Sequence, residues 1–261
     1  MKLRTTCRIA MTAHEPTPMV LILRPRSGEG QWVEAERYEL RPHVPARQYQ
    51  DEAGNLCQRL VAPVGRFEID VQHDVVVSPE IDRAPGRPPT AVPDLPGFAL
   101  RYLLPSRYCE SDRLGELAHE LTADAAPGYD QAAAIDRHIH EHFEYRYGAS
   151  DASTSAAQTA EAKTGVCRDF AHLGIALCRT LDLPARMVVG YLHELDPMDQ
   201  HAWFEAYLDG RWYTFDPTQD RPRGGRVCVA YGRDAADVAF ITQWGNATLD
   251  TMTVAVDRLD A

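Results

Sequence analysis

The sequence predicts an α+β protein in two parts. An N-terminal antiparallel β-sandwich-like domain is expected over residues 1–105, and a second domain, with helices packed on an antiparallel sheet, over residues 106–261. Three observations predict this class. Strand patterns fill the first part of the chain, helical periodicity begins after about residue 110, and strand patterns return after residue 184.

Short apolar or alternating runs predict the strands of the first domain. The clearest is residues 67–77, in which apolar and polar side chains alternate as in a half-buried strand. Further strands are expected at residues 19–23, 32–40 and 56–61, with a turn at Asp51-Glu-Ala-Gly-Asn55. Many prolines then lie in residues 79–97, which predicts an extended linker and hence the domain boundary.

Helical spacing of apolar residues opens the second domain. Residues 112–121 and 130–143 are predicted to form amphipathic helices. A third helix, beginning at Cys167 and ending near Asp182-Leu-Pro184, is apolar on two sides and is therefore expected to be buried. The three histidines of the second helix alternate by two and point around it, so they do not predict a metal site: His138, His140 and His142.

A β-hairpin is the clearest strand signal of the second domain. Residues 201–208 alternate, Asp209-Gly210 is a strong hairpin turn, and residues 211–216 are the returning strand. Other strands are expected at residues 185–192, 227–231 and 247–256.

Composition excludes several classes of function. The net charge of −11 over 261 residues argues against a phosphate-binding surface, so no nucleic-acid partner is expected. No apolar run approaches the roughly 18 residues of a membrane span, and the N-terminus lacks the apolar segment of a signal peptide, so no membrane partner and a cytoplasmic location are expected. The six cysteines include no Cys-x-x-Cys pair, which predicts neither a zinc site nor a disulfide framework. No metal or other cofactor is predicted.

Cys167 is the candidate nucleophile. It stands at the start of the predicted buried helix, where the partial positive charge of the helix end favours a thiolate. The alternative is that Cys167 is a small hydrophobic core residue.

The hairpin supplies the two other groups that a cysteine nucleophile needs. His201 opens one strand and Asp216 closes its partner, so both lie near the open end of the hairpin, within roughly 5 Å between Cβ atoms. A carboxylate at that distance can fix the imidazole tautomer and stabilise the imidazolium. Each residue also has a structural explanation, as a surface histidine or a strand terminator before proline. Together with Cys167 they favour a Cys-His-Asp triad.

Four separated segments carry a resemblance to a known family. Residues 164–172 (TGVCRDFAH), 184–191 (PARMVVGY), 201–205 (HAWFE) and 212–218 (WYTFDPT) resemble the core motifs of the transglutaminase-like superfamily. They are most similar to its bacterial cysteine-protease-like branch, whose members carry an N-terminal β-domain. The residues from Asp51 to Asn55 resemble the Asp-x-x-Gly-Asn turn of that β-domain. The resemblance covers residues 110–257 and implies a papain/transglutaminase-like core without calcium dependence. It also implies Cys167 as nucleophile, His201 as base and Asp216 as the orienting acid.

Four further residues are candidates for the cleft. The Cys167 backbone N–H is a natural first oxyanion donor, and Gln158 or Tyr145 is the candidate second donor. Asp169 either lines the cleft or belongs to a structural network with His172, three residues on. Trp203 is expected in the core or in the cleft wall.

The expected function is a thiol-dependent amide or peptide hydrolase, or an acyl transferase that uses the same thioester acyl-enzyme; hydrolysis is favoured. The expected partners are a peptide or protein substrate and, for transfer, an amine acceptor. The alternative is a non-catalytic peptide-binding module that keeps the fold. A metal site from Cys167, His172 and His201 lacks a fourth ligand and the usual spacing.

Overall fold

Two four-stranded antiparallel sheets form the N-terminal part of the molecule. The computed structural model describes residues 1–28 and 30–260. In the first sheet the strand order is β14-β1-β6-β3, and in the second it is β13-β2-β5-β4. Alternate side chains of β1 and β6 are buried, as the alternation of residues 67–77 predicts. The bounds are β1 Lys2–Ala13, β2 Thr17–Arg24, β3 Gln31–Arg41, β4 Arg47–Gln50, β5 Leu56–Ala62, β6 Gly65–Val77, β13 Ile241–Gln243 and β14 Ala247–Arg258.

A third four-stranded sheet and a group of helices form the remainder. The strand order of this sheet is β11-β10-β9-β12, and all its neighbouring strands are antiparallel. Two short strands that precede it in the chain, β7 and β8, form a separate parallel pair. The strands are β7 Glu144–Tyr145, β8 Thr164–Gly165, β9 Ala185–Leu192, β10 His201–Leu208, β11 Arg211–Phe215 and β12 Arg226–Gly232. The α-helices are α1 Gly97–Leu100, α2 Gly115–Leu121, α3 Tyr129–His142, α4 Ala156–Ala162 and α5 Cys167–Thr180, with 3₁₀ turns at Val92–Asp94 and Ser111–Arg113. The predicted α+β class is confirmed.

The helix α5 is the centre of this second part. It packs on β9 and β10 and is surrounded by α2, α3 and α4, so its apolar faces are buried as predicted. The glycine at position 174 of α5 has a steric reason. A Cβ there would lie 2.4 Å from a ring carbon of Phe204, so only glycine allows this approach of helix to sheet.

The C-terminal strands return to the N-terminal sheets. β13 pairs with β2, and β14 pairs with β1 along its length. A strand was expected at residues 247–256, but within the second domain. The division of the chain at residue 105 stays a prediction. The pairing of β13 with β2 and of β14 with β1 shows that the last strands of the chain complete the two N-terminal sheets.

Two side-chain amides of the N-terminal part cover the edge strand β12. The Gln31 amide donates to the Cys228 carbonyl and accepts from its N–H, both at 2.8 Å. Asn55 does the same for Tyr231, at 2.8 and 2.9 Å. These contacts flank the register shift between Cys228 and Ala230, where the ladder with β9 is interrupted. The turn around Asn55 therefore holds the N-terminal sheets against the sheet that carries His201.

None of the helices in the described residues is long and apolar enough to cross a membrane.

Candidate active site

The hairpin brings His201 and Asp216 into direct contact. His201 is the first residue of β10, and Asp216 follows the last residue of β11. His201 Nε2 lies 2.7 Å from Asp216 Oδ2, and both side chains are almost fully buried. The turn between the strands has Asp209 and Gly210 at positive φ, 45° and 84°, which is the conformation of a tight hairpin.

Cys167 is the first residue of α5 and is half-buried. Its thiol lies close enough to the His201 ring to influence the protonation of that ring. Since Asp216 occupies Nε2, the other ring nitrogen, Nδ1, is the one left for the thiol. The structure thus brings together Cys167, His201 and Asp216, in the order that the sequence predicts.

The electrostatics of the pair favour a cationic imidazole. Burial of the ring opposes protonation, but the Asp216 carboxylate outweighs burial and, with a smaller contribution from Cys167, raises the pKa of His201 to about 9. Burial works against the charge of Asp216 as well, yet His201 and Arg226 hold the pKa of this carboxyl well below its ordinary value. At neutral pH the pair is therefore an imidazolium and a carboxylate.

Two residues that sequence reasoning missed complete the environment of Asp216. Arg226, at the start of β12, places Nη1 at 2.8 Å from Asp216 Oδ2. The Thr218 hydroxyl donates to Oδ1 at 2.7 Å, and its backbone N–H lies 3.2 Å from the same oxygen. The Asp-Pro-Thr spacing after β11 is a local signal for the contact with Thr218, because an Asp side chain commonly accepts the backbone N–H two residues on. Arg226 had no comparable local signal.

Asp169 fixes the N-terminus of α5. It is fully buried and accepts the Val166 N–H at 2.9 Å, while Ser150 and Arg168 donate to its carboxylate. The structure therefore supports the structural alternative for Asp169, although not with the expected partner. His172 instead accepts the N–H of Ala235 at 3.1 Å.

Tyr145 lies at the nucleophile, whereas Gln158 caps a different helix. The Tyr145 hydroxyl lies near the Cys167 backbone N–H. Burial and the neighbouring charge of Cys167 raise the pKa of this phenol above its ordinary value, so it keeps its proton. Gln158 is exposed, and its Oε1 accepts the Ser155 N–H at 2.9 Å in the capping box of α4.

Trp203 is a core residue beside the histidine. It is fully buried, and its ring centroid lies 5.9 Å from that of His201 at an angle of 31°. The Arg226 guanidinium lies 4.9 Å above the indole. Trp203 therefore shields the buried side of the His201–Asp216 pair.

A small cavity of about 100 Å³ lies against His201. It is lined by Tyr145, Tyr147, the loop residues 195–197, 199 and 200, and by Thr218 and Gln219. A larger cavity of about 420 Å³ lies behind Trp203 and Arg226, between the sheet and the N-terminal part. The smaller cavity is the one that the candidate base, His201, lines. Among the described residues, no group of three His, Cys, Asp or Glu side chains is arranged to hold a metal ion.

Comparison with known proteins finds a family model and a solved structure that match this chain. The model of the transglutaminase-like superfamily matches residues 115–217, a range that contains Cys167, His201 and Asp216. The crystal structure of a "Putative Cysteine Protease" from Cytophaga hutchinsonii is 35% identical, covers 100% of this chain and 91% of that chain, and superposes with a TM-score of 0.91.

This chain is also similar in sequence to uncharacterized mycobacterial proteins. An uncharacterized protein of Mycobacterium leprae is 28% identical over 232 residues, which are 83% of this chain and 82% of the relative. An uncharacterized protein of Mycobacterium tuberculosis is 37% identical over 115 residues, 38% of this chain and 37% of the relative. The likeness to the Cytophaga hutchinsonii structure spans the N-terminal sheets as well as the sheet of His201.

Proposed function

Because this chain belongs to the transglutaminase-like superfamily, we propose that it breaks an amide or peptide bond with a Cys167–His201–Asp216 triad. The family and the Cytophaga hutchinsonii neighbour support a thiol-dependent hydrolase or transferase in general. The observation that carries the finer proposal is the buried 2.7 Å contact of His201 with Asp216 beside the half-buried thiol of Cys167.

The reactive form is an ion pair. The proton of the Cys167 thiol resides on Nδ1 of His201, and Asp216 stabilises the resulting imidazolium. The thiolate then attacks the carbonyl carbon of the substrate amide, and the carbonyl oxygen takes the negative charge.

The oxyanion is received at the N-terminus of α5. The Cys167 backbone N–H has no partner within the helix, because the first N–H groups of a helix are free. The Tyr145 hydroxyl, which lies near this N–H and keeps its proton, supplies the second donor. His201 next protonates the departing amine, which leaves a thioester on Cys167.

The acceptor of the acyl group decides the net reaction. Attack by water, with His201 as base, releases an acid and gives hydrolysis. Attack by an amine gives transamidation. We propose hydrolysis of a peptide or protein amide as the principal reaction. The cytoplasmic location of the protein stays a prediction.

Thiol labelling tests the nucleophile without a known substrate. Iodoacetamide at neutral pH should modify Cys167 faster than the five other cysteines, since the imidazolium stabilises its thiolate. Cys228 is the internal control, because it is also half-buried but burial raises its pKa to about 12. His201→Ala should slow labelling of Cys167 and leave Cys228 unchanged. Equal labelling of all six cysteines would refute an activated thiol.

A peptide library tests the reaction. Mass spectrometry of the library, with and without added amine, separates hydrolysed, transamidated and unchanged peptides. The triad predicts that Cys167→Ser abolishes both products, whereas Cys228→Ser keeps them. A non-catalytic peptide-binding module would instead retain peptides unchanged, equally in wild type and Cys167→Ser.

A further inference from the structure

Negatively charged side chains outnumber positively charged ones in the lining of the cavity at His201. Two carboxylates line it, Asp196 and Asp199, and His201 is the only basic group among the described residues of its lining. Asp196 is exposed and Asp199 is half-buried, so solvent reaches both residues, and Asp199 Oδ1 accepts the Gln200 N–H at 2.7 Å.

The charges of the catalytic groups do not offset these two aspartates. Asp216 is balanced by Arg226, at 2.8 Å, and a thiolate on Cys167 is balanced by the His201 imidazolium. Arg223, which contacts the lining residue Gln219, also holds backbone carbonyls of the neighbouring loop. It donates to Gln219 Oε1 at 2.9 Å and to the backbone carbonyls of His193 and Glu194, at 2.7 and 3.2 Å.

Two aromatic rings also line the cavity. Tyr145 and Tyr147 pack edge to face, with ring centroids 5.5 Å apart, and are 40% and 55% exposed. Tyrosine faces attract cations, and carboxylates that line the same cavity add a favourable Coulomb term. The lining therefore suits a cationic group.

We infer that this cavity selects a positively charged group next to the reacting amide. The group is either a lysine or arginine side chain of the acyl donor, or the ammonium group of a cationic acceptor. The inference rests on the proposed function, since the cavity is a specificity pocket only if Cys167 and His201 act on a substrate beside it.

The expected selectivity is moderate. An ion pair between exposed groups is worth up to about 1 kcal/mol, which is about fivefold in a rate or binding constant. Two carboxylates together then give a preference of about fivefold to twentyfold for a cationic over an isosteric neutral group. Salt should reduce this preference, because exposed charges are screened.

Matched substrates test the acyl-donor arm. Peptides with lysine or norleucine, and with arginine or citrulline, are compared at each position around the reacting amide. The kcat/KM ratio of charged to neutral peptide should be about fivefold or more at one position, and should approach 1 in the double variant Asp196→Asn/Asp199→Asn. Glu194→Gln is the control, since Glu194 is 76% exposed and lies outside the lining.

Matched nucleophiles test the acceptor arm. Transfer of a neutral acyl donor to cadaverine, which keeps a second ammonium, is compared with transfer to butylamine, which does not. A preference for cadaverine that the double variant loses assigns the charge selection to the acceptor. The inference is overturned if neither arm shows a preference of about threefold, or if the double variant keeps the full preference.

A reagent pair separates this inference from the proposed function. The cationic reagent MTSET and the anionic reagent MTSES both modify thiols, and their rate ratio at Cys167 needs no substrate. The double variant should lower the MTSET-to-MTSES ratio by about fivefold or more, whereas Glu194→Gln should leave it unchanged. An unchanged ratio in the double variant overturns the inference. If no peptide reacts, the proposed function fails, and the reagent ratio still decides the charge of the cavity.

Discussion

Replacing Asp136 with asparagine is expected to stabilise the protein above neutral pH. Asp136 lies on α3, and its Oδ1 atom is buried without a hydrogen-bond partner among the described residues. Burial and the nearby negative charge of Asp216 raise the pKa of Asp136 to about 7, with a smaller opposing effect of Arg226. The folded protein therefore binds this proton more tightly than the unfolded chain does.

The sign and size of the effect follow from proton linkage. A raised folded-state pKa means that the favourable contribution of the neutral carboxyl is complete below pH 3.8 and is lost as pH rises to about 7. That interval, at about 1.4 kcal/mol per pH unit, corresponds to about 4 kcal/mol. Since the residue as a whole is only half-buried, we expect about 2 kcal/mol for Asp136→Asn above pH 7.5.

Urea unfolding between pH 4 and pH 9 measures this directly. The free energy of unfolding of Asp136→Asn minus that of wild type should grow from pH 4 to about pH 7 and then level off. Glu141→Gln, an exposed carboxylate on the same helix, is the control and should follow wild type. A difference that does not change with pH, or a less stable Asp136→Asn protein at pH 8, would refute the assignment of a buried neutral carboxyl.

Three further substitutions test the core, the oxyanion donor and the contact between the sheets. Gly174→Ala should lower the free energy of unfolding by about 2 kcal/mol, because its Cβ would lie 2.4 Å from the Phe204 ring; an unchanged urea midpoint would contradict this contact. Tyr145→Phe should lower kcat by about tenfold to 10²-fold with little change in KM, as expected for a lost oxyanion donor. An unchanged kcat would exclude that role. Asn55→Ala removes both hydrogen bonds to Tyr231 and should cost about 2–4 kcal/mol by urea unfolding, whereas a change below about 0.5 kcal/mol would show that water replaces them.

Local sequence signals were sufficient for the elements that carry the candidate site. The alternation of residues 201–208 and the Asp209-Gly210 turn predicted the hairpin, and the hairpin alone brings His201 next to Asp216. The apolar periodicity after Cys167 predicted α5 and its burial. These features depend on neighbours within about ten residues, so the local amino-acid sequence is enough to predict them.

Other features depend on residues that are distant in the chain. Arg226 reaches Asp216 only because β12 pairs with β9, and Asp136 lies near Asp216 only because α3 packs beside the hairpin. The strand pattern of residues 247–256 predicted a strand but not its partner, β1, because alternation records which face is buried and not which strand lies alongside. Gln158 illustrates the same point, since a loop glutamine near a cysteine helix has no local mark that separates a cap from a catalytic donor.

The sequence by itself determined the α+β class, the helix that begins at Cys167, and the hairpin whose ends hold His201 and Asp216. Periodicity and turn chemistry are properties of short segments, and they survive without knowledge of the packing. Only the tertiary structure decided the environment of that helix start. It placed Tyr145 at the Cys167 N–H, Asp169 beneath the helix end, Arg226 on Asp216, and a cavity with two aspartates at His201. Contacts of this kind follow from how distant segments pack, because their free energy depends on burial and distance, which a linear pattern does not contain.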